Sequence, residues 1–328
     1  MSDRPTISVA LASYQGERFM EAQLDSILRQ TLLPDEIVVS DGGSTDRTVA
    51  LARGFLGAHP ELGGRVIADH RRLRVTQNFE RAIAATTGDL IALCDQDDLW
   101  APDRLQRDAA AFDEPSVQLV HSDARLVGVS GAPLGIGLFA ALGIGDEEIQ
   151  ALAGDAAFAL LVRRNLVTGA TAMIRRELAV RAMPFPQEWV HDEWLAILAA
   201  ASGRIHPIRR ELVDYRQHGG NEIGVSTPSL RGRLARMWQP RGDRLVRLAA
   251  RASRLAEFLD AAEVPQRWRD LAHRKEAFEL RRARYGRLRI SRIVPIVRNS
   301  AHGAYVELSS QGRLDVIRDL VQPAGKLS

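Results

Sequence analysis

The chain predicts an α/β fold, a mostly parallel sheet flanked by helices with a helical extension at its C-terminus. Three observations carry this. Through the first 125 residues short, β-branched apolar runs alternate with amphipathic helical stretches, the pattern of βαβ units. Polar clusters follow directly on the apolar runs, at the strand ends where an open α/β sheet holds its ligand. Beyond residue 229 the strand period disappears and arginine-rich amphipathic helices take over.

Each element has its local reason. "ISVALA" (Ile7 to Ala12) is too short and β-branched for a helix and ends in a polar break from Ser13 to Gly16. "ERFMEAQLDSILRQ" then places Phe19, Leu24, Ile27 and Leu28 at helical spacing and stops before Pro34. "EIVVSD" is a second strand, and "STDRTVALARGF" a second helix with Ser44 or Thr45 as its N-cap. "RVIAD" is the third strand, "TQNFERAIAATTG" a helix closed by Gly88, and "DLIALCD" the fourth strand. A helix from Pro102 to about Phe112 and a fifth strand, "VQLVHSD", complete the regular part.

Regularity then weakens. Gly131 to Gly145, apolar and holding five glycines, reads as a flap or an apolar docking surface, with an irregular core segment as the equal alternative. "DEEIQALAGDAAFALLVR" and "HDEWLAILAAAS" are helical, "TGATAMIRR" and "ELVDYRQH" are strands. "RGDRLVRLAARASRLAEFLDAA" and "QRWRDLAHRKEAFELRRARYG" are basic amphipathic helices separated by Pro265.

Composition narrows the function classes. With 45% hydrophobic and 26% charged residues the chain is globular rather than disordered. Its single cysteine, Cys94, excludes an intramolecular disulfide and a cysteine zinc site, and fits a reducing compartment. No signal-like N-terminus and no run of roughly 18 apolar residues is present, so a cytoplasmic, non-integral protein is expected. Charge is divided: residues 1–228 hold 22 Lys+Arg and 31 Asp+Glu, a net of −9, whereas residues 229–328 hold 22 and 10, a net of +12. The acidic part suits a cation and the basic part an anionic partner.

The acidity has a focus in "CDQDDLW". Asp95, Asp97 and Asp98 at the end of a buried strand repel one another unless a cation sits among them, and Mg²⁺ or Mn²⁺ answers while keeping positions open for phosphate oxygens. Strand alternation would send Asp95 and Asp97 to one side and Gln96 and Asp98 to the other. Asp192 in "VHDEW" opens a helix, where backbone N–H groups keep a carboxylate ionised and able to take a proton. Arg216 and His218 in "YRQHGGN" share a strand face, a charge clamp and a further cation ligand.

"ISVALASYQGERFMEAQLDSILRQT", "IVVSDGGSTDRT", "GDLIALCDQDDLWAPDRL", "NLVTGATAMIRR", "HDEWLAILAA" and "YRQHGGN" together resemble family 2 glycosyltransferases of GT-A fold, most closely bacterial rhamnosyltransferases of cell-wall and O-antigen polysaccharide synthesis. The resemblance spans residues 6 to about 224. It implies a nucleotide-binding role for Ser13, Tyr14 and Asp41, where Gly42 replaces the family's second aspartate, and a DXD motif of Asp95-Gln96-Asp97. In that motif Asp97 ligates the metal and Asp95 meets the ribose or the metal. It implies Asp192 as catalytic base, Thr168 and Gly169 in the sugar pocket, and a nucleotide-diphosphate sugar donor with a polyprenyl-linked glycan acceptor. Asp98 is expected near the sugar or the following helix, and Trp194 either against the sugar or in the core.

The domain organisation expected is a catalytic domain over 1–228 and a basic helical region over 229–328. The latter would lie on the anionic inner face of the plasma membrane or mediate self-association; no nucleic-acid motif accompanies it. Two alternatives stay open: a UDP-hexose donor, and a sugar-phosphate nucleotidyltransferase. The second normally needs a glycine-rich basic loop after the first strand, which "SYQGERF" lacks.

Overall fold

A computed structural model of the chain describes residues 4–218 and 242–323. The expected boundary at residue 228 lies outside the described residues. The chain divides into two compact units: Met1–Ala157 with Leu166–Val225, and Phe158–Asn165 with Ser226–Ser328. The short segment 158–165 thus joins the C-terminal set, although it lies in sequence within the expected catalytic domain.

The first unit is built on one mixed, mostly parallel sheet. Its strands are β1 (Ile7–Ser13), β2 (Glu36–Asp41), β3 (Arg65–Ala68), β4 (Leu90–Asp95), β5 (Leu99–Trp100), β6 (Val117–Val127), β7 (Pro133–Gly137), β8 (Ala172–Arg175) and β9 (Arg204–Arg216). The order is β3-β2-β1-β4-β8-β6-β9-β5, with β7 paired to β6. β3, β2, β1 and β4 run parallel, and β8 is antiparallel to both β4 and β6. Every residue of β1 and β2 is buried, because helices cover both faces; their near-continuous apolar runs follow from that.

The helices of this unit are α1 (Met20–Leu28), α2 (Thr48–Ala58), α3 (Val75–Ala84), α4 (Arg104–Ala110), α5 (Leu138–Ala141), α6 (Asp146–Ala153), α8 (Arg176–Arg181) and α9 (His191–Ser202). Helix α7 (Ala157–Arg163) passes into the second unit. The single helix expected over 146–163 is therefore two, broken at Gly154. Helix α2 begins at Thr48, and Asp46 rather than Ser44 or Thr45 bonds its first turn, accepting from the Thr48 N–H at 3.0 Å. The glycine-rich stretch 131–145 is strand β7 followed by α5, with Leu138 and Phe139 buried.

The second unit is helical among its described residues: α10 (Arg244–Ala261), α11 (Gln266–Ala283), α12 (Ile293–Ala301), α13 (Ala304–Leu308) and α14 (Arg313–Val321). Helices α10 and α11 pack on each other. Their arginine-rich sequence conceals a buried polar core: Arg282 bonds Asp319 at 2.6 Å and Glu279 at 2.8 Å, all three side chains almost wholly buried. No described helix is long and apolar enough to cross a membrane.

Candidate active site

The parallel strands β1 and β4 end side by side, Ala12 opposite Asp95, and their C-terminal loops form one wall of a cavity of about 270 Å³. Ser13 ends β1 and Tyr14 follows it; Asp95 ends β4 and Gln96 and Asp97 follow; Thr168, Gly169, His191, Asp192, Tyr215 and His218 complete the lining. Gln96 locks the two loops together. Its Oε1 accepts from the Tyr14 N–H and its Nε2 donates to the Tyr14 carbonyl, both at 2.9 Å. Side-chain amide and backbone pair here like two rungs of a ladder. The Arg72 guanidinium lies 3.2 Å from the centroid of the Tyr14 ring, so the ring arrives with a cation on its face.

Opposite, α9 presents Asp192 from its first turn. The carboxylate accepts from the Gly169 N–H at 3.0 Å, and Glu193 does not line the cavity. A Cβ at Gly169 would stand 2.9 Å from His191 Nε2 and 3.2 Å from Asp192 Cβ, so this contact requires glycine. His191 stacks on Phe79 with centroids 4.0 Å apart, and burial pushes its imidazole down to about 3, so it is neutral at working pH.

The carboxylates are crowded. Burial, and then the charges of Asp97 and Asp192, push Asp95 up to about 8, with buried Arg104 opposing. His218 Nε2 sits 2.6 Å from Asp97 Oδ2, and its ring stacks on Phe19. Two carboxylates that repel one another beside an imidazole, all facing one cavity, suit a hard divalent cation. Among the described residues no group of three or more such side chains holds a metal by itself. An ion placed here would need further oxygens, such as those of a diphosphate, to complete its ligands.

Residues 8–159 match the family model described as Glycosyl transferase family 2. Over this segment the chain is similar to family 2 glycosyltransferases. An uncharacterized protein of Mycobacterium tuberculosis is 26% identical over 220 residues, covering 65% of this chain and 59% of the relative. The chain therefore spans less than two thirds of that relative's length. An uncharacterized glycosyltransferase of Nostoc is 28% identical over 222 residues, 66% of each chain. A dTDP-rhamnosyl transferase of Shigella flexneri is 31% identical over 99 residues, 29% of this chain and 34% of its own. Among solved structures, S. aureus TarS in complex with UDP-GlcNAc superposes with a TM-score of 0.59 at 16% identity, over 84% of this chain and 72% of TarS. The mannosyltransferase PcManGT from Pyrobaculum calidifontis, in complex with GDP-Man and Mn²⁺, gives 0.54 at 20% identity, over 97% and 85%. The shared fold is GT-A.

Four residues expected in the glycosyltransferase site are placed elsewhere. Asp41, 1% exposed, does not line the cavity; it accepts from Ser44 N–H at 2.7 Å, Ser44 Oγ at 2.6 Å, Ser13 Oγ at 3.0 Å and Gly43 N–H at 3.1 Å. Its carboxylate shapes the glycine turn, in which Gly43 has φ +93°. Trp194 is wholly buried and donates its indole N–H to the Ala182 carbonyl at 3.0 Å, because α9 is covered on nearly all sides. Arg216 is buried too. Its guanidinium donates to the carbonyls of Asp97 (2.8 Å), Val129 (3.0 Å) and Gly128 (3.3 Å), so it anchors the Asp-Gln-Asp turn and does not line the cavity.

Asp98 is 2% exposed, and its Oδ1 accepts from the Arg216 N–H at 2.9 Å. Burial, with Asp97 and Asp95, holds its carboxyl well above the usual carboxylate range, so it is not a third anion of the cluster. The alternation expected after Asp95 fails because β4 ends there, and Gln96 faces the cavity alongside Asp95 and Asp97. Arg72, Asn78, Gln96, His191 and Tyr215 were not singled out by the sequence. Only Gln96, Tyr215 and His191 carried a signal, as neighbours of residues that were.

Proposed function

We propose that the chain is an inverting, divalent-metal-dependent glycosyltransferase that moves a sugar from a nucleotide-diphosphate donor to a lipid-linked or saccharide acceptor. The observation that carries it is the convergence of Asp95, Asp97, His218 and Asp192 on one cavity at the sheet's C-terminal edge. When bound, Mg²⁺ or Mn²⁺ would supply neutralisation of the departing diphosphate. Asp95, Asp97 and His218 are the residues that would hold it, Gln96 and Arg72 orient Tyr14 beside the nucleotide, and Thr168 and Gly169 border the sugar. Asp192 takes the proton of the acceptor hydroxyl as its oxygen bonds the anomeric carbon and the carbon–oxygen bond to the diphosphate breaks. The Gly169 N–H keeps the Asp192 carboxylate oriented toward that proton.

The similarity to a dTDP-rhamnosyl transferase supports rhamnose from dTDP-rhamnose as the donor, with a polyprenyl-linked glycan of cell-surface polysaccharide synthesis as acceptor. A UDP-hexose donor is the second reading, favoured by the likeness to TarS bound to UDP-GlcNAc. The enzyme would work peripherally on the inner face of the plasma membrane. A panel of dTDP-, UDP- and GDP-sugars, followed for donor hydrolysis with Mn²⁺, Mg²⁺ or EDTA, tests the reading. Metal-dependent turnover is expected, and an Asp192→Asn protein should lose on the order of a hundredfold or more of it. No metal-dependent binding of any nucleotide sugar would refute the proposal.

A further inference from the structure

The excess positive charge of the second unit was expected to sit on the two long helices, yet much of it is neutralised there. Arg247 pairs with Asp243, Arg254 with Glu257, Arg274 with Glu307, and Lys275 with Glu279. The following stretch is different. Residues 280–306 hold seven arginines and no acidic residue. Arg282 and Arg292 are buried and internally bonded, Arg292 to the carbonyls of Gly286, Arg287, Asp319 and Gln322. Arg284, Arg287, Arg289 and Arg298 are exposed and make no ion pair among the described residues.

Beside these cations lie aliphatic side chains that no described element covers. Leu288 is 71% exposed, Ile290 75%, Val294 74% and Val297 60%. On α12, Ile293, Val294 and Val297 share the outward face with Arg298, while Ile296 and Asn299 turn inward. A cavity of about 650 Å³ opens in the same place, lined by Arg281, Arg284, Tyr285, Ser291, Arg298 and His302. Its floor is fixed. Arg281 Nε donates to Asn299 Oδ1 (3.0 Å), Asn299 Nδ2 to the Tyr285 hydroxyl (2.7 Å), and that hydroxyl meets Tyr305, which bonds Asp319.

We propose that this face, residues 284–298, docks the protein on an anionic phospholipid bilayer, its aliphatic side chains entering the headgroup region while the arginines meet lipid phosphates, one of them seated in the cavity. Interfacial binding needs both apolar area and cations at one level, and this is where the unit supplies both. Charge complementarity selects the occupant. A second copy would set unpaired arginines against arginines, and a nucleic acid would meet exposed aliphatics with no aromatic to stack on. The proposal deepens the peripheral location given above and rests on that reading for its purpose, but the surface shares no residue with the proposed sugar-transfer site.

Co-sedimentation of the full chain with vesicles of phosphatidylglycerol and phosphatidylcholine, and with phosphatidylcholine alone, tests it. Binding should require the anionic lipid and weaken with salt. Arg284→Gln with Arg298→Gln should weaken it about twenty-fivefold, from roughly fivefold per arginine. Val294→Ser with Val297→Ser should weaken it on the order of tenfold or more. Arg254→Gln with Arg267→Gln, the same charge removed elsewhere in the unit, should change it little. All the variants should melt like the wild type and hydrolyse donor normally without vesicles, so that lost docking and lost chemistry are read apart. Wild-type binding by both face variants, indifference to anionic lipid, or a fall in oligomeric mass on Val294→Ser with Val297→Ser, which would make the face an interface between copies, would each overturn the proposal.

Discussion

Gly169→Ala tests how the position of Asp192 is set. The new methyl would lie 2.9 Å from His191 Nε2, 3.2 Å from Asp192 Cβ and 3.6 Å from Asp192 Oδ2. An ordinary carbon–nitrogen contact is about 3.5 Å, so roughly half an ångström must be found. His191 cannot readily supply it, being 5% exposed and stacked on Phe79 at 4.0 Å. Either α9 shifts its first turn or the 168–170 loop withdraws, and both lengthen the Gly169 N–H bond to Asp192, now 3.0 Å. Overpacking costs about 1–3 kcal/mol, and the lost backbone freedom of glycine in the unfolded chain returns about 0.4–1. The net, about 1–2 kcal/mol, lowers Tm by roughly 2–8 °C in a unit of this size. The effect on kcat should be larger than stability explains, about tenfold to a hundredfold, because a carboxylate displaced by a fraction of an ångström loses much of its positioning advantage. Thermal melts and steady-state kinetics with the donor that the panel identifies read both quantities. A lowered Tm with unchanged kcat would refute the role of this contact in placing the base; unchanged values of both would show that the loop accommodates a methyl.

Gln96→Ala removes both hydrogen bonds to Tyr14 and should cost about 1–2 kcal/mol, read by denaturant titration. If Tyr14 meets the nucleotide as proposed, donor KM should rise more than kcat falls, and a fall in kcat with KM unchanged would argue against that role. Cation binding should be linked to protons. Asp95 is pushed up to about 8, so a proton leaves it on binding, and apparent affinity should rise by up to tenfold per pH unit on approaching about pH 8 and flatten above. Calorimetric titration of Mn²⁺ at pH 7 in buffers of different ionisation enthalpy would count that proton, and no release would contradict the arrangement.

The buried strands were legible in the sequence because helices cover both faces, which demands uninterrupted apolar runs such as "ISVALA" and "LIALC". Strand β5, two residues long, left no periodicity to read. Helices α12 to α14 escaped because each is nine residues or shorter and their polar core mixes arginine with aspartate. Trp194 kept core packing and sugar stacking as equal readings; α9 is buried on nearly every side, so no outward face could decide between them.

By itself the sequence determined the α/β class, the strand ends that carry polar clusters and the concentration of aspartates after β4, since burial of one short segment is a local demand written into its residue types. Only the tertiary structure decided which carboxylates share the cavity and which are enclosed. Gln96 meets Tyr14 across 82 residues and His218 meets Asp97 across 121. Asp98, Asp41 and Arg216 are enclosed and bonded to groups outside the cavity lining or to backbone carbonyls, which strand alternation does not reveal. Such contacts depend on how separate elements pack, and a period of two or of 3.6 along one element carries no record of what the next element brings against it.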